Sequence, residues 1–354
     1  MQSSCGYPTP RPLLKLGNVP GHPAPTGHHS RLVRLFHLLS VEGANVAVKY
    51  FQASGVGRRT PRRSATAVDV LVPGGTYDHQ YWDWPIDPGR YNYIDKTLAA
   101  GRAVLAYDRL GTGASSRPPS TSITADISIY VLHQLIAWVR GRGYRQVDLV
   151  GHSLGSVLAM QEAGTWPDDP SRLILTGMLH VATNGQAISA TDQYPAYTDP
   201  KFADGGYDPG YQTSKPGTRG FLYYYRGAPS VIAYDEASKA VVSGTEFSTA
   251  VADFFVAAPA NVSDSVTAPV LVIDGQEDFI FCFGGPVDCR DRAAMYRNEA
   301  PYFARAASLT VESVPRTSHD LALNRSADRS FAMINDWITH TPAVWHQFFV
   351  LRRS

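Results

Sequence analysis

Cysteine is scarce, surplus charge is nearly absent and no long hydrophobic run occurs, and each shortage removes a class of protein. Three cysteines in 354 residues cannot make the disulfide framework of a small secreted scaffold, and a chain this long buries a core without one. Cys282 and Cys289 stand in a Gly/Pro loop, where they either close a small ring or stay free thiols, while Cys5 is left over. Lys and Arg total 32 against 31 Asp and Glu, a formal charge of +1. No nucleic-acid partner is indicated, nor an anionic membrane surface, and the expected partner is small and uncharged. The 44% hydrophobic content is that of an ordinary globular protein, yet no stretch approaches the roughly 18 apolar residues of a membrane span. Residues 1–30 also lack the charged start, apolar centre and small-residue cleavage site of a secretory leader. The compartment stays open: cytoplasmic on that ground, exported if Cys282 and Cys289 are bridged.

What is present is an alternation of apolar runs and helical patterns. Residues 1–30, rich in Pro, Gly and His, read as a flexible arm. Leu32–Leu39 and Ala44–Phe51 read as a hairpin turning at Glu42-Gly43, and Ala67–Val72 as the first of several short buried strands. A helix near 92–100 precedes the strand Ala103–Asp108. Two glycines follow that strand, Gly111 and Gly113, but the third glycine and downstream acid of a dinucleotide fingerprint are missing. A helix over about 122–142, with Ile123, Ile127, Tyr130, Val131, Leu135 and Trp138 on one face, stops at Gly141 and Gly143. Strands at Arg172–Met178 and Ala268–Gly275 continue the series. The pattern predicts an α/β fold with a doubly wound, mostly parallel sheet.

The most informative stretch is Val147-Asp148-Leu149-Val150-Gly151-His152-Ser153-Leu154-Gly155. An apolar strand feeding Gly-x-Ser-x-Gly and then a helical pattern describes a nucleophile elbow, in which the serine sits on a tight strand-to-helix turn that only flanking glycines leave room for. Ser153 is the expected nucleophile. The N–H of Leu154, at the helix start, is placed to stabilise negative charge on a substrate oxygen, with a second donor from Gly75 or Thr76.

The order of parts from about residue 32 to 340 resembles the α/β-hydrolase fold family. The resemblance is carried by Val72-Pro73-Gly74-Gly75, by Asp108-x-x-Gly111-x-Gly113-x-Ser115, by the elbow, by Gly275-Gln276-Glu277-Asp278 and by Ser318-His319-Asp320. One departure is Pro73-Gly74 where many members have His-Gly. The resemblance implies a catalytic triad of Ser153, Asp278 and His319, with no metal or organic cofactor. It also implies a cap inserted at 182–262, between core segments 31–181 and 263–354; the cap is expected to be largely helical. The cap is dense in aromatics, and the aromatic stretch from Tyr77 to Trp84 lies beside the expected oxyanion loop. Tyr77, His79, Trp82, His180 and Tyr224 are therefore candidates for the pocket wall. A serine nucleophile disfavours dehalogenase and epoxide hydrolase chemistry, which use aspartate on this fold. The implied activity is hydrolysis of a carboxylic ester or lactone of a bulky apolar molecule through an acyl-enzyme. The alternatives are acyl transfer or cyclisation with the same residues, as in natural-product biosynthesis, C–C hydrolysis of a β-diketone, and a binding protein on a hydrolase scaffold.

Overall fold

The computed structural model describes residues 16–17, 32–41, 43–53 and 66–344. Twelve strands occur among them: Leu16–Gly17 (β1), Leu32–Val41 (β2), Ala44–Ala53 (β3), Ala67–Val72 (β4), Ala103–Tyr107 (β5), Gln146–His152 (β6), Arg172–Thr176 (β7), Gln193–Pro195 (β8), Tyr211–Ser214 (β9), Val242–Ser243 (β10), Val270–Gly275 (β11) and Leu309–Val314 (β12). Nine of them form one sheet in the order β1-β2-β3-β5-β4-β6-β7-β11-β12. β2 and β3 pair antiparallel from Leu32↔Ala53 to Val41↔Ala44, as the hairpin reading expects, and β3 runs antiparallel to β5. From β5 to β12 the sheet is parallel. β5, β7 and β11 are buried along their whole length, because helices cover both faces of a parallel sheet and leave no strand position for solvent.

The expected arm, residues 1–30, lies outside the described residues except for β1, whose Leu16 and Gly17 pair with Leu39 and Leu38. The principal helices of the core are Pro88–Tyr91 (α1), Tyr93–Ala99 (α2), Ala125–Gly141 (α3) and Leu154–Thr165 (α4). α3 starts where Thr124 accepts a hydrogen bond from the Ile127 N–H, and it ends as expected at Gly141. Its buried face differs from the one read off the sequence: Ile129, Leu132, Ile136 and Val139 are buried with Val131, Leu135 and Trp138, while Ile127 faces solvent.

Two features of the winding place the site. The chain skips from β3 to β4, returns to lay β5 between them, then crosses to β6 on the far side of β4, so the loops after β4 and β6 open beside each other at the strands' C-terminal ends. Val72 of β4 is level with Gly151 of β6. Likewise β11 lies between β7 and β12 with Gly275 level with Val314, so the loops that follow these two strands share the same edge.

Between β7 and β11 the chain forms an insertion with four helices, Asn184–Thr191 (α5), Arg219–Leu222 (α6), Pro229–Ser238 (α7) and Gly244–Val251 (α8), together with the small antiparallel sheet β10-β9-β8. Helices make up most of its regular structure, as expected, with the small sheet as an addition. The core is completed by Phe279–Cys282 (α9), Arg292–Glu299 (α10) and Ala327–His340 (α11). Cys282 and Cys289 are joined by a disulfide that ties the end of α9 to the loop leading to α10.

Candidate active site

Ser153 occupies the single residue between β6 and α4, with φ 52° and ψ −121°, a conformation that L-residues rarely hold without support. The support is visible on both sides. Its N–H donates to the carbonyl of Thr176 on the neighbouring strand at 2.9 Å, and its own carbonyl accepts from the N–H of Ser156 at 2.8 Å. The two glycines of the motif are required by contact distance. A Cβ on Gly151 would sit 2.5 Å from the Gly155 carbonyl oxygen, and one on Gly155 would sit 2.3 Å from the Val72 carbonyl oxygen.

The turn delivers the Ser153 hydroxyl to His319, whose Nε2 lies 2.9 Å from Oγ. The other ring nitrogen, Nδ1, lies 2.8 Å from Asp278 Oδ2. Asp278 is held in turn by the start of α9: its Oδ1 accepts the N–H groups of Ile280 at 2.6 Å and Phe281 at 3.0 Å. Asp278 and His319 are buried. Burial alone raises a carboxyl group, yet the charge and hydrogen bond of His319 outweigh it and hold Asp278 below the usual carboxylate range. For His319 burial acts downward, and the Asp278 charge and hydrogen bond overcome it, so the imidazole sits above its ordinary value. The arrangement is a hydrogen-bonded chain with an ionised acid at one end and a hydroxyl at the other.

A cavity of about 350 Å³ opens over Ser153. Gly75, Thr76 and Tyr77 from the loop after β4 line it, together with Leu154, Phe281 and His319. The insertion supplies most of the rest, with Gln186, Ala187, Ser189 and Ala190 of α5, Phe247 and Val251 of α8, and Tyr223, Val242 and Phe255, while Val157 and Ile280 of the core also line it. Among the described residues no Lys or Arg lines this cavity, and no acid does either. The loop after β4 runs tightly along Ser153: a Cβ on Gly74 would meet His152 at 3.1 Å and the Ser153 Cβ at 3.3 Å. Thr76 there has φ 57°.

Of the residues proposed from sequence for the pocket wall, only Tyr77 is there. His79 turns away to Asp108, whose Oδ1 also accepts the His79 N–H at 3.0 Å while Oδ2 accepts that of Ala114 at 2.9 Å. This pins the Gly111–Gly113 loop, so the glycines near Asp108 serve a structural turn. Trp82 is core, its ring 4.8 Å from Tyr81 and 5.2 Å from Tyr93. His180 is bound at Nδ1 to Glu299 Oε2, 2.7 Å away, and stacks on Tyr302. Tyr224 donates to Asp235 Oδ2 at 2.9 Å, and its neighbour Tyr223 takes the wall position in its place.

A second polar cluster, unanticipated from sequence, lies directly behind the first. His152 Nε2 is 3.1 Å from Asp320 Oδ1, Tyr77 reaches both Asp320 and Asp235, and Asp235 Oδ1 pairs with Arg219 Nη2 at 2.8 Å. All five side chains are buried. Burial pushes the His152 imidazole down and the Asp235 carboxyl up. The only signal available in the sequence was the adjacency of His152 to Ser153 and of Asp320 to His319. Besides Asp274–Cys282–Cys289, whose two sulfurs are bonded to each other, two groups bring metal-ligand atoms within 4.8 Å of each other, Asp78–His79–Asp108 and His133–Glu162–Asp169. None of these six residues lines the cavity over Ser153.

Comparison with known proteins agrees with this architecture. The monoglyceride lipase of Saccharomyces cerevisiae, solved as a soluble variant with a substrate analogue, superposes with a TM-score of 0.61 at 14% identity, covering 91% of this chain and 100% of that one. A monoacylglycerol lipase of Paleococcus ferrophilus gives 0.51 at 19% identity, covering 77% and 95%. Among curated proteins, a 1-acylglycerol-3-phosphate O-acyltransferase of Sus scrofa is 35% identical over 78 residues, and a probable serine hydrolase of Drosophila melanogaster 26% identical over 126. The matched stretches span 22% and 35% of those two relatives, and 22% and 30% of this chain. The model of the Alpha/beta hydrolase family matches residues 70–332, and with the elbow, the sheet order and the extent of that match the chain belongs to this family.

Proposed function

We propose that this protein is a serine hydrolase that cleaves a carboxylic ester or lactone of a neutral, apolar small molecule. The observation that carries the reading is the continuous relay from Asp278 through His319 to Ser153 at the floor of an uncharged, largely apolar cavity. In the proposed cycle Ser153 Oγ attacks the ester carbonyl carbon while His319 Nε2 takes its proton, and Asp278 stabilises the imidazolium that results. The tetrahedral oxygen is stabilised by the N–H of Leu154, at the positive end of α4, and by that of Thr76. His319 then returns the proton to the departing alkoxide, leaving an acyl group on Ser153. Water, deprotonated by His319, releases the acid and restores the hydroxyl. The insertion acts as a cap whose apolar side chains hold the acyl or alkyl portion. The absence of a cationic side chain from the described wall supports an uncharged substrate over one that carries phosphate or carboxylate.

A panel of p-nitrophenyl esters of increasing chain length tests the reading. A nitrophenol burst, with Ser153 labelled by a fluorophosphonate and both lost in Ser153→Ala, is the expected result; full turnover by that variant overturns it. The second reading is acyl transfer, favoured by the acyltransferase name of the pig relative. Product mass in the presence of an acceptor alcohol decides between them: a new ester supports transfer, and the free acid alone supports hydrolysis.

A further inference from the structure

Thr76 is a β-branched residue at φ 57°, a conformation that such a residue holds only when its surroundings fix it. The restraints come from the insertion. The Thr76 carbonyl accepts the N–H of Ala240 at 2.8 Å, and its hydroxyl oxygen accepts from Arg219 Nη1 at 2.9 Å. Arg219 is itself fully buried and has no freedom to wander. Its Nη2 is paired with Asp235 at 2.8 Å, its Nη1 also reaches Ser214 Oγ at 3.1 Å, and its guanidinium lies over the Tyr77 ring at 4.3 Å and near that of Tyr223 at 5.1 Å. Asp235 is fixed by the hydroxyls of Tyr77 and Tyr224 at 3.1 and 2.9 Å. A planar guanidinium can satisfy these partners at once from a single orientation, which an ammonium cannot.

We propose that Arg219 is a positioning residue, whose buried hydrogen bond to the Thr76 hydroxyl sets the direction of the Thr76 backbone N–H toward the substrate oxygen. The inference rests on the proposed role of Thr76 as an oxyanion donor. Geometry links the parts of one residue that lines the cavity: its hydroxyl and its carbonyl are both anchored to the insertion, so rotation there is rotation at its N–H. The reaction's charge stabilisation is thereby assembled only when the insertion is seated on the core. Donors of this kind act through orientation that exists before the charge develops, so a small misalignment reduces kcat while leaving ground-state binding nearly unchanged.

The test compares Thr76→Val, Thr76→Ser, Arg219→Lys and the double variant Arg219→Lys/Thr76→Val on the best p-nitrophenyl ester, each checked for folding by circular dichroism and thermal melting. Thr76→Val keeps the branched shape and leaves the Arg219–Asp235 pair in place, so it carries the test if Arg219→Lys fails to fold. The expected result is a fall in kcat of about 10- to 100-fold for Thr76→Val with KM within about threefold of wild type, and at least about fivefold recovery in Thr76→Ser, which retains the acceptor. The double variant should be no slower than the slower single one, because both break the same contact. Unchanged kcat in Thr76→Val, additive losses, or a rise in KM in place of the fall in kcat would overturn the proposal. Failure of the wild-type protein to be labelled by a fluorophosphonate is a separate outcome, which removes the hydrolase reading itself and with it the role given to Thr76.

Discussion

Replacing Asp278 by Asn probes the relay at the point where the structure constrains it most. Oδ1 of Asp278 accepts two backbone N–H groups, from Ile280 at 2.6 Å and Phe281 at 3.0 Å, while Oδ2 faces His319 Nδ1 at 2.8 Å. An asparagine has one acceptor oxygen, and the two N–H donors of α9 claim it. The amide NH₂ is then forced toward His319, where it meets an acceptor only if Nδ1 has lost its hydrogen. The imidazole is driven into the tautomer that carries its proton on Nε2, facing the Ser153 hydroxyl it should deprotonate. The wrong tautomer in a serine protease triad costs about 10⁴ in kcat, equivalent to about 5.4 kcal/mol of transition-state stabilisation. The backbone hydrogen bonds are kept, so the fold and its melting temperature should be little changed. Ester turnover and fluorophosphonate labelling measured side by side provide the assay. A variant within about tenfold of wild type at neutral pH would refute the reasoning, since it would mean that the amide turned over or that Asp278 does not govern the imidazole.

Three further outcomes are expected. The base must be neutral to act and the His319 pKa is raised, so kcat/KM should fall on the acid side through a limb centred above 6.5, and Asp278→Asn should move that limb downward; a pH–rate profile flat from 6 to 8 would contradict this. Gly155→Ala would place a methyl group 2.3 Å from the Val72 carbonyl oxygen and 2.6 Å from that of Pro73, so the elbow must shift; a loss of about 3 kcal/mol or more in denaturant unfolding is expected, and an unaltered midpoint would argue against the close approach. Reduction of Cys282–Cys289 should open two alkylation sites by intact mass and cost at most about 2.5 kcal/mol, the chain entropy of so short a ring; alkylation of both before reduction would exclude the bridge.

The sequence made the elbow legible because its chemistry is local: two glycines, a serine and the strand before them define a turn that needs no distant partner. Asp278 and His319 were placed by their order in the chain, and the sheet then brings both to the edge where Ser153 stands. The pocket wall was less legible for two physical reasons. Adjacent residues on a short turn point in different directions, so Tyr223 faces the cavity while Tyr224 is consumed by Asp235. His79 and His180 are held by Asp108 and Glu299, 29 and 119 residues away in the chain, a pairing that composition cannot reveal. The small sheet of the insertion escaped notice because β8 has three residues and β10 two, too few to display a period. On α3 Ile127 fits the apolar spacing, but the buried stripe runs through Ser128, Leu132, Leu135 and Val139, and Ile127 falls at its edge.

The strands that flank the insertion, β7 and β11, are immediate neighbours in the sheet, and Leu173 at the foot of β7 donates to the Pro269 carbonyl at 2.9 Å. The chain therefore departs from and rejoins the core along two paired strands, and the hydrogen-bonded frame is continuous without anything between them. This is the connectivity of an exchangeable cassette: shape and selectivity can diversify on one side of a fixed chemical frame, and related pockets can be transplanted onto it. Compatibility in such a graft is decided at a few buried seams more than at the splice points. On the role proposed for Arg219, a donor segment lacking a cation to meet the loop after β4 would close over the cavity, fill it, and leave the frame beneath it slow.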